Sequence, residues 1–318
     1  MAYFIWHMKY AISVPNYTHL ISVFSPFPTS HSPLPHFYAK HSAMPELPEV
    51  EIVMRRLREL IVGKTIVKAR LIRAGLSPEN SPRQFAASLK GARVEDVTRR
   101  GKHILARLSN GRTLVVHLRM TGRFIYLDQE AENTPHTHAE LWLDDGKKLL
   151  FDDQRHFGLM MVAPTAGLDR VKYLSKLAPE PFSPEFSPEY LYDTLKRSSQ
   201  QIKLALLDQT KVVGLGNIYA SEALHRAKIN PRLPAKRLSK PRIVLLREEI
   251  LAVLGEAIAN DSQYDVETGD LDSSYGRYDQ VTRIYEREGR PCPVCGAPIR
   301  RATQGARSTY YCPRCQRR

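Results

Sequence analysis

Acidic residues are missing from the first 43 positions of this 318-residue chain, and cysteine is missing from the first 291. Four cysteines crowded into the last 27 residues argue against a secreted disulfide scaffold and for one local site, with two disulfides or four unrelated thiols as the alternative. Long apolar runs are missing too. None approaches the roughly 20 residues that a membrane span needs, so a cytoplasmic protein is expected. Negative charge is scarce overall, with 33 Asp and Glu against 47 Lys and Arg, a net charge of +14. A surplus of that size suits a polyanion, nucleic acid ahead of a membrane surface, because Lys and Arg neutralise phosphates and release counterions. A basic enzyme with no polyanionic partner is the competing explanation. The apolar fraction of 42% is that of a folded chain, and the length allows two domains with separate cores.

Residues 1–43 stand apart in composition. They combine many aromatics with the Ser/Pro/His stretch "SPFPTSHSPLPH". No basic region leads them, Pro15 interrupts the apolar part, and they contain no arginine, which makes signal and transit peptides poor readings. The segment reads as the product of an upstream start codon or as a disordered tail, and the fold is expected to begin at 44.

From Pro48 the pattern turns helical: Val50, Val53, Met54, Leu57 and Leu60 recur at three- and four-residue steps, with Gly63 as a stop. Strand-like runs follow in "TIVKARLI", "HILARL", "TLVVHLRM", "RFIYL", "AELWL" and "KLLFDD". Asn110-Gly111 and Asp145-Gly146 mark hairpins. Residues 65–165 therefore predict an antiparallel sandwich or barrel. The proline-dense "LAPEPFSPEFSPEY" marks a linker, and amphipathic spacing predicts helices over 188–197, 200–208, 217–227 and 239–259. "DQTKVVGLGNIYASEAL" reads as a helix–turn–helix element. The expected organisation is an α+β chain: an N-terminal antiparallel β-sandwich with flanking helices over 44–174, a linker over 175–187, a helical DNA-binding domain over 188–283 and a cysteine module over 284–318.

The cysteines read C-P-V-C at 292–295 and, sixteen residues on, C-P-R-C at 312–315. Two such knuckles suit one tetrahedral zinc ion held by Cys292, Cys295, Cys312 and Cys315. Four protein ligands close the coordination shell, so the zinc is structural. Arg300, Arg301, Arg307, Arg314, Arg317 and Arg318 make the module basic and DNA-facing. His136-x-His138 lacks an accompanying carboxylate and is set aside as a metal site.

Pro45-Glu46-Leu47-Pro48-Glu49-Val50-Glu51 ahead of a helix, "RRGKH", "HLRMTG", "DQRHFG", "VVGLGNIYASE" and the terminal finger together resemble the formamidopyrimidine-DNA glycosylase family over 44–318. The resemblance implies a monomeric enzyme that excises 8-oxoguanine and formamidopyrimidines from double-stranded DNA and then cuts the strand at the abasic site. It makes Pro45 the nucleophile. That is chemically sound, since a free α-amino group titrates near 8 whereas lysine titrates near 10.4. Glu46 would move protons and Glu49 would support it, although both also complement a helix N-terminus. Lys102 would contact the lesion nucleotide, and Arg307 would grip phosphates and assist elimination. Met120, Arg155 and Phe157 would fill the void left by a flipped nucleotide; core packing is the plain alternative for Met120 and Phe157. Asn217, after two glycines at a helix start, would clamp a phosphate together with freed backbone amides, and Lys203 and His136 would add phosphate contacts.

The sequence departs from the family pattern at Arg119, where glycine is usual, at Gln154 and His156, and in "NDSQYDVETGDLDSSYG", which lacks the usual Gly-Gly-Thr. These departures bear on lesion preference. Two rivals follow: the related endonuclease VIII type, acting on oxidised pyrimidines, in which glycine is usual at the position of Leu47, and an inactive zinc-finger DNA-binding protein.

Overall fold

A computed structural model describes residues 44–260, 270–271 and 282–317; the expectations for 1–43, for Arg318 and for most of the 260–276 stretch lie outside these. Helix α1 (Leu47–Ile61) opens the described chain. Its Val50, Val53, Leu57 and Ile61 form one buried stripe, while Glu51 and Arg55 pair across one turn of the outer face at 2.8 Å. Gly63 ends it at φ 86°, a left-handed conformation that favours glycine.

Strands β1 (Ile66–Leu71), β2 (Val94–Arg100), β3 (His103–Leu108), β4 (Arg112–His117), β5 (Gly122–Asp128), β6 (Thr137–Leu143), β7 (Lys147–Asp153) and β8 (Leu159–Pro164) build two antiparallel sheets. One runs β1-β6-β7-β5 with the two-residue β9 (Asp270–Leu271) at its edge; the other runs β2-β3-β4-β8. Asn110-Gly111 and Asp145-Gly146 do turn hairpins, between β3 and β4 and between β6 and β7, as the dipeptides predict. The alternation Ile104, Ala106, Leu108 on β3 faces a core shared by both sheets and α1.

Three features differ from expectation. β2 and β8 escape the periodicity reading, β2 because charged residues separate its two apolar anchors, Val94 and Val97. Helix α2 (Pro82–Leu89) also went unforeseen: it carries only two buried anchors, Phe85 and Leu89, and relies on Ser81 Oγ accepting from Gln84 N–H at 3.3 Å. The run "TLVVHLRM" stops being a strand at His117, because Gly122 N–H closes a turn onto Leu118 O at 3.1 Å and Arg119 adopts φ 59°.

The helical part holds α3 (Pro188–Lys196), α4 (Ile202–Leu207), α5 (Asn217–Arg226) and α6 (Lys240–Ala259) around a second core. Leu47, the first residue of α1, belongs to this second core, whereas Val50 onward belongs to the first. One helix thus spans both lobes, and its N-terminus sits where they meet. A third, small cluster lies in the finger around the hairpin β10 (Arg300–Gln304) and β11 (Arg307–Tyr311).

Candidate active site

The N-terminus of α5 already holds an anion, and that anion is Glu46. Its Oε2 accepts from Gly216 N–H at 2.7 Å and Tyr219 N–H at 3.4 Å, and its Oε1 from Ile218 N–H at 2.8 Å. Unpaired amides and the positive end of the helix dipole favour such a charge. Gly216 is required here by space: a Cβ would lie 2.4 Å from the Glu46 carboxyl carbon. Gly214 sits at φ 85°, and a Cβ there would come within 2.4 Å of Leu47 Cδ1, while its carbonyl accepts Leu47 N–H at 3.0 Å. The two glycines therefore bring the start of α5 against the start of α1. Pro45 is buried at the same place.

Glu49 accepts Glu46 N–H at 2.7 Å through one oxygen and the Tyr219 hydroxyl at 2.6 Å through the other. Tyr219 is a partner that sequence reasoning missed; nothing but its position in "GNIYASE" hinted at it. Lys102, buried, donates to Leu215 O at 3.0 Å. Burial pushes the Glu46 carboxyl above its ordinary pKa against the lowering pull of Lys102 and the three amides. Burial likewise pushes Lys102 below the ordinary lysine range; Glu46 and Glu49 oppose this only in part, and Arg307 adds to it. A carboxyl raised and an amine lowered in one dry site are brought closer in proton affinity, which suits groups that pass protons.

Asn217 and Lys203, both expected at phosphates, face the finger in this structure. The amides beside Asn217 are taken by Glu46. The Asn217 side chain donates to Ser308 O at 3.0 Å and the Tyr285 hydroxyl at 3.3 Å, leaving Oδ1 buried with no partner among the described residues. Lys203 has 0% exposure, and its ammonium donates to Ser308 O at 2.9 Å and Thr309 Oγ1 at 2.8 Å. The finger hairpin packs onto α4 and α5, and both side chains donate to it. Burial lowers the Lys203 pKa to about 7. Arg307 follows the Gly305-Ala306 turn, whose residues at φ 53° and 59° suit a tight two-residue hairpin. It remains exposed, with its charge felt at both Lys102 and Lys203. Glu222 is a second missed residue: its carboxylate accepts Arg283, Ile284 and Tyr285 N–H at 2.9, 3.0 and 2.9 Å and so sets Tyr285 beside Asn217.

At the rim, Phe157 is 52% exposed, with the Arg155 guanidinium 5.2 Å from its ring centre, and Met120 is partly exposed. Exposure on this scale disposes of the core-packing alternative for Phe157. Asp153, fully buried, ties the two rim loops together. It accepts the Thr121 hydroxyl at 2.5 Å and Gly158 N–H at 2.7 Å, while Thr121 Oγ1 accepts Arg155 N–H at 3.0 Å. His136 is half-buried behind this edge, its carbonyl accepting Asp153 N–H at 3.0 Å. The departures Arg119 and His156 both occupy left-handed backbone, at φ 59° and 62°, which accounts for glycine being suited to the first. His156 also stacks edge-on against His138 at 4.7 Å.

The four cysteine sulfurs lie within 4.8 Å of one another, with Cys295–Cys312 at 3.4 Å and Cys292–Cys315 at 3.9 Å. Tetrahedral zinc with Zn–S near 2.3 Å requires about 3.8 Å between sulfurs. The set fits one structural zinc ion.

Consecutive parts of the chain match three domain families. Residues 44–160 match the formamidopyrimidine-DNA glycosylase N-terminal domain, 177–267 its H2TH domain, and 289–318 the zinc finger found in FPG and IleRS. The formamidopyrimidine-DNA glycosylase of Pelotomaculum thermopropionicum is 43% identical over 276 residues, which cover 86% of this chain and 99% of that protein. The chain belongs to the formamidopyrimidine-DNA glycosylase family. A relative of the same name from Geobacillus kaustophilus is 41% identical over 86% of this chain and all of that protein. Among solved structures, Lactococcus lactis Fpg in complex with abasic-site DNA superposes with a TM-score of 0.79 at 31% identity, and MutM in complex with DNA containing carbocyclic 8-oxo-G with 0.79 at 32%. Each covers 86% of this chain and 100% of its own. Membership makes the chain a bifunctional enzyme of base-excision repair, a DNA glycosylase with abasic-site lyase activity, and the pyrimidine-specific rival is not favoured.

Proposed function

We propose that this enzyme excises 8-oxoguanine and formamidopyrimidines from duplex DNA and cleaves the strand by β- and then δ-elimination, with Pro45 as the nucleophile. The observation that carries the reading is the buried junction of α1 and α5, where Pro45, Glu46, Glu49 and Lys102 meet. The Pro45 nitrogen, once its bond to Met44 is gone, is a secondary amine. It attacks the deoxyribose anomeric carbon as the base departs. The resulting iminium keeps its positive charge and withdraws electrons while the C3′–O and then the C5′–O bonds break. Glu46, its pKa raised by burial and its geometry fixed by three amides, moves the protons of ring opening and elimination. Lys102 and Arg307 neutralise the charge of the lesion nucleotide and its phosphates.

Met120, Arg155 and Phe157 enter the duplex where the nucleotide has left. Their exposure on loops tied by Asp153 supports that role, as does the cost of unstacking, a few kcal/mol, which an inserted ring offsets. His136 and Asn217 lie toward the DNA backbone, with Asn217 Oδ1 and Nδ2 shaping the finger side of the site. The enzyme works as a monomer in the cytoplasm; among the described residues no helix is long and apolar enough to cross a membrane.

The test is covalent trapping. While Met44 remains attached, the Pro45 nitrogen is an amide with no basic lone pair, and no neighbouring charge restores one. Protein beginning at Pro45 should form a borohydride-trapped adduct with 8-oxoguanine duplex, and intact 1–318 should form none. Equal trapping by full-length protein, verified by mass, would remove Pro45 from the mechanism.

A further inference from the structure

The linker carries a carboxylate that the chemistry above does not use. Glu180 turns back from the proline-rich segment onto the β2–β3 turn. Its Oε1 accepts Gly101 N–H at 2.6 Å and Arg100 Nη1 at 2.9 Å, and its Oε2 accepts Arg99 Nη1 at 2.7 Å. Arg99 also donates to Gly101 O at 2.9 Å and, through Nε, to Glu51 of α1 at 2.8 Å. Arg100 donates to Leu177 O at 2.8 Å and Ala178 O at 2.7 Å. The turn so held sits at φ 59° at Gly101, where a Cβ would lie 2.6 Å from Val213 Cγ2, and the next residue is Lys102.

The hydrogen bonds close into a ring. Ala178 N–H donates to Gln209 O at 2.9 Å. The Gln209 side chain accepts Gly214 N–H at 2.9 Å and donates to Leu215 O at 2.9 Å. Leu215 O is the same atom that accepts Lys102 Nζ, at 3.0 Å. The linker therefore reaches Lys102 from both sides, through Glu180 at the N–H of the residue before it and, by way of Ala178 and Gln209, at its acceptor. A plain tether between two lobes needs neither contact.

We propose that Glu180 is a positioning residue for Lys102, its carboxylate fixing the Arg99–Gly101 turn so that the Lys102 ammonium stays in the buried site with Glu46 and Glu49. The proposal rests on the repair reading for its catalytic consequence, but its structural consequence stands alone. Burial alone would raise the Glu180 pKa; Arg99, the Gly101 N–H and Arg100 outweigh it and hold the carboxyl below its ordinary value, so it is charged at neutral pH.

The test compares wild type with Glu180→Gln, which keeps size but not charge, and with Glu180→Asp. On the full chain, the Lys102 ammonium is titrated by NMR with isotope-labelled lysine. On protein beginning at Pro45, the second residue of the matched N-terminal domain, single-turnover cleavage and affinity are measured with abasic-site duplex. Glu180→Gln should move the Lys102 titration up toward the ordinary lysine range, as its side chain gains water. It should slow cleavage about 10²-fold, the effect of a displacement near 1 Å at a reacting group, with affinity unchanged. Glu180→Asp should recover part of both. A Lys102 titration identical to wild type in a folded Glu180→Gln protein would overturn the proposal, whatever the cleavage rate. A wild type that cleaves nothing would sink the repair reading instead, with the titration still deciding the role of Glu180.

Discussion

The site has two ends of opposite character. At the α1–α5 junction every charged group is buried and answered: Glu46 by three backbone amides, Glu49 by Tyr219 and the Glu46 N–H, Lys102 by Leu215 O. At the rim, Arg155 and Phe157 face solvent on loops anchored from beneath by Asp153. Proton transfer at a fixed atom needs donors and acceptors already in place, so reorganisation is confined to folding. Entering a DNA duplex needs side chains with room to move. The difference teaches that, on the proposed roles, charge is preorganised where bonds would break and side chains are left exposed where the duplex would be entered.

The largest break in that comparison should come from Glu46→Gln. The amide cannot carry the proton, and strand cleavage should fall on the order of 10³-fold, while abasic-site DNA is still bound; single-turnover rates beside a binding isotherm decide this. Loss of binding in step with loss of rate would mean that Glu46 holds the fold rather than the chemistry.

Next in size is Gly216→Ala, which tests whether the amide cradle matters with the carboxylate left intact. The added carbon would meet the Glu46 carboxyl at 2.4 Å, and cleavage should slow about 10²-fold. Phe157→Ala should leave thermal stability within about 0.5 kcal/mol, because the ring is half exposed, and yet slow 8-oxoguanine excision more than cleavage at a preformed abasic site.

Lys203 gives a subtler contrast, a buried lysine bonded to the finger beside the buried Lys102 of the proposed active site. Its folded-state pKa of about 7 lies below the lysine value of 10.5. Between those values the unfolded chain binds the extra proton, so stability should rise with pH across that window and be flat below it. Denaturant midpoints on either side of the window should show this rise for wild type and lose it in Lys203→Met. The smallest effect belongs to Arg119→Gly. Relief of the left-handed backbone at φ 59° should stabilise the protein by about 1 kcal/mol or less, net of the greater freedom of glycine when unfolded; a shift of thermal midpoint measures it.

Much of this protein was legible one residue at a time. Periodicity located α1 and all four helices after the linker, the dipeptides Asn110-Gly111 and Asp145-Gly146 located their hairpins, and the cysteine spacing located the zinc site. Each of those signals is local: a repeat of 3.6 or 2, a left-handed turn, or two ligands on one knuckle. The charge surplus likewise announced a polyanionic partner without any structure, because it sums over residues whatever their places. What the sequence could not decide is which polar groups meet. Glu46 and Gly216 are 170 positions apart, and nothing in either neighbourhood says that the helix-start amides read as a phosphate clamp would close on a carboxylate of the same chain. Lys203 was expected at a phosphate, with no sign in the sequence that the finger would cover it, and Glu180 was one more linker carboxylate until Gly101 came within 2.6 Å. Hydrogen bonds act over about 3 Å in space and carry no imprint along the chain, so the local elements and the ligand set belong to the sequence, while the protonation states and partners of the buried charges belong to the tertiary structure.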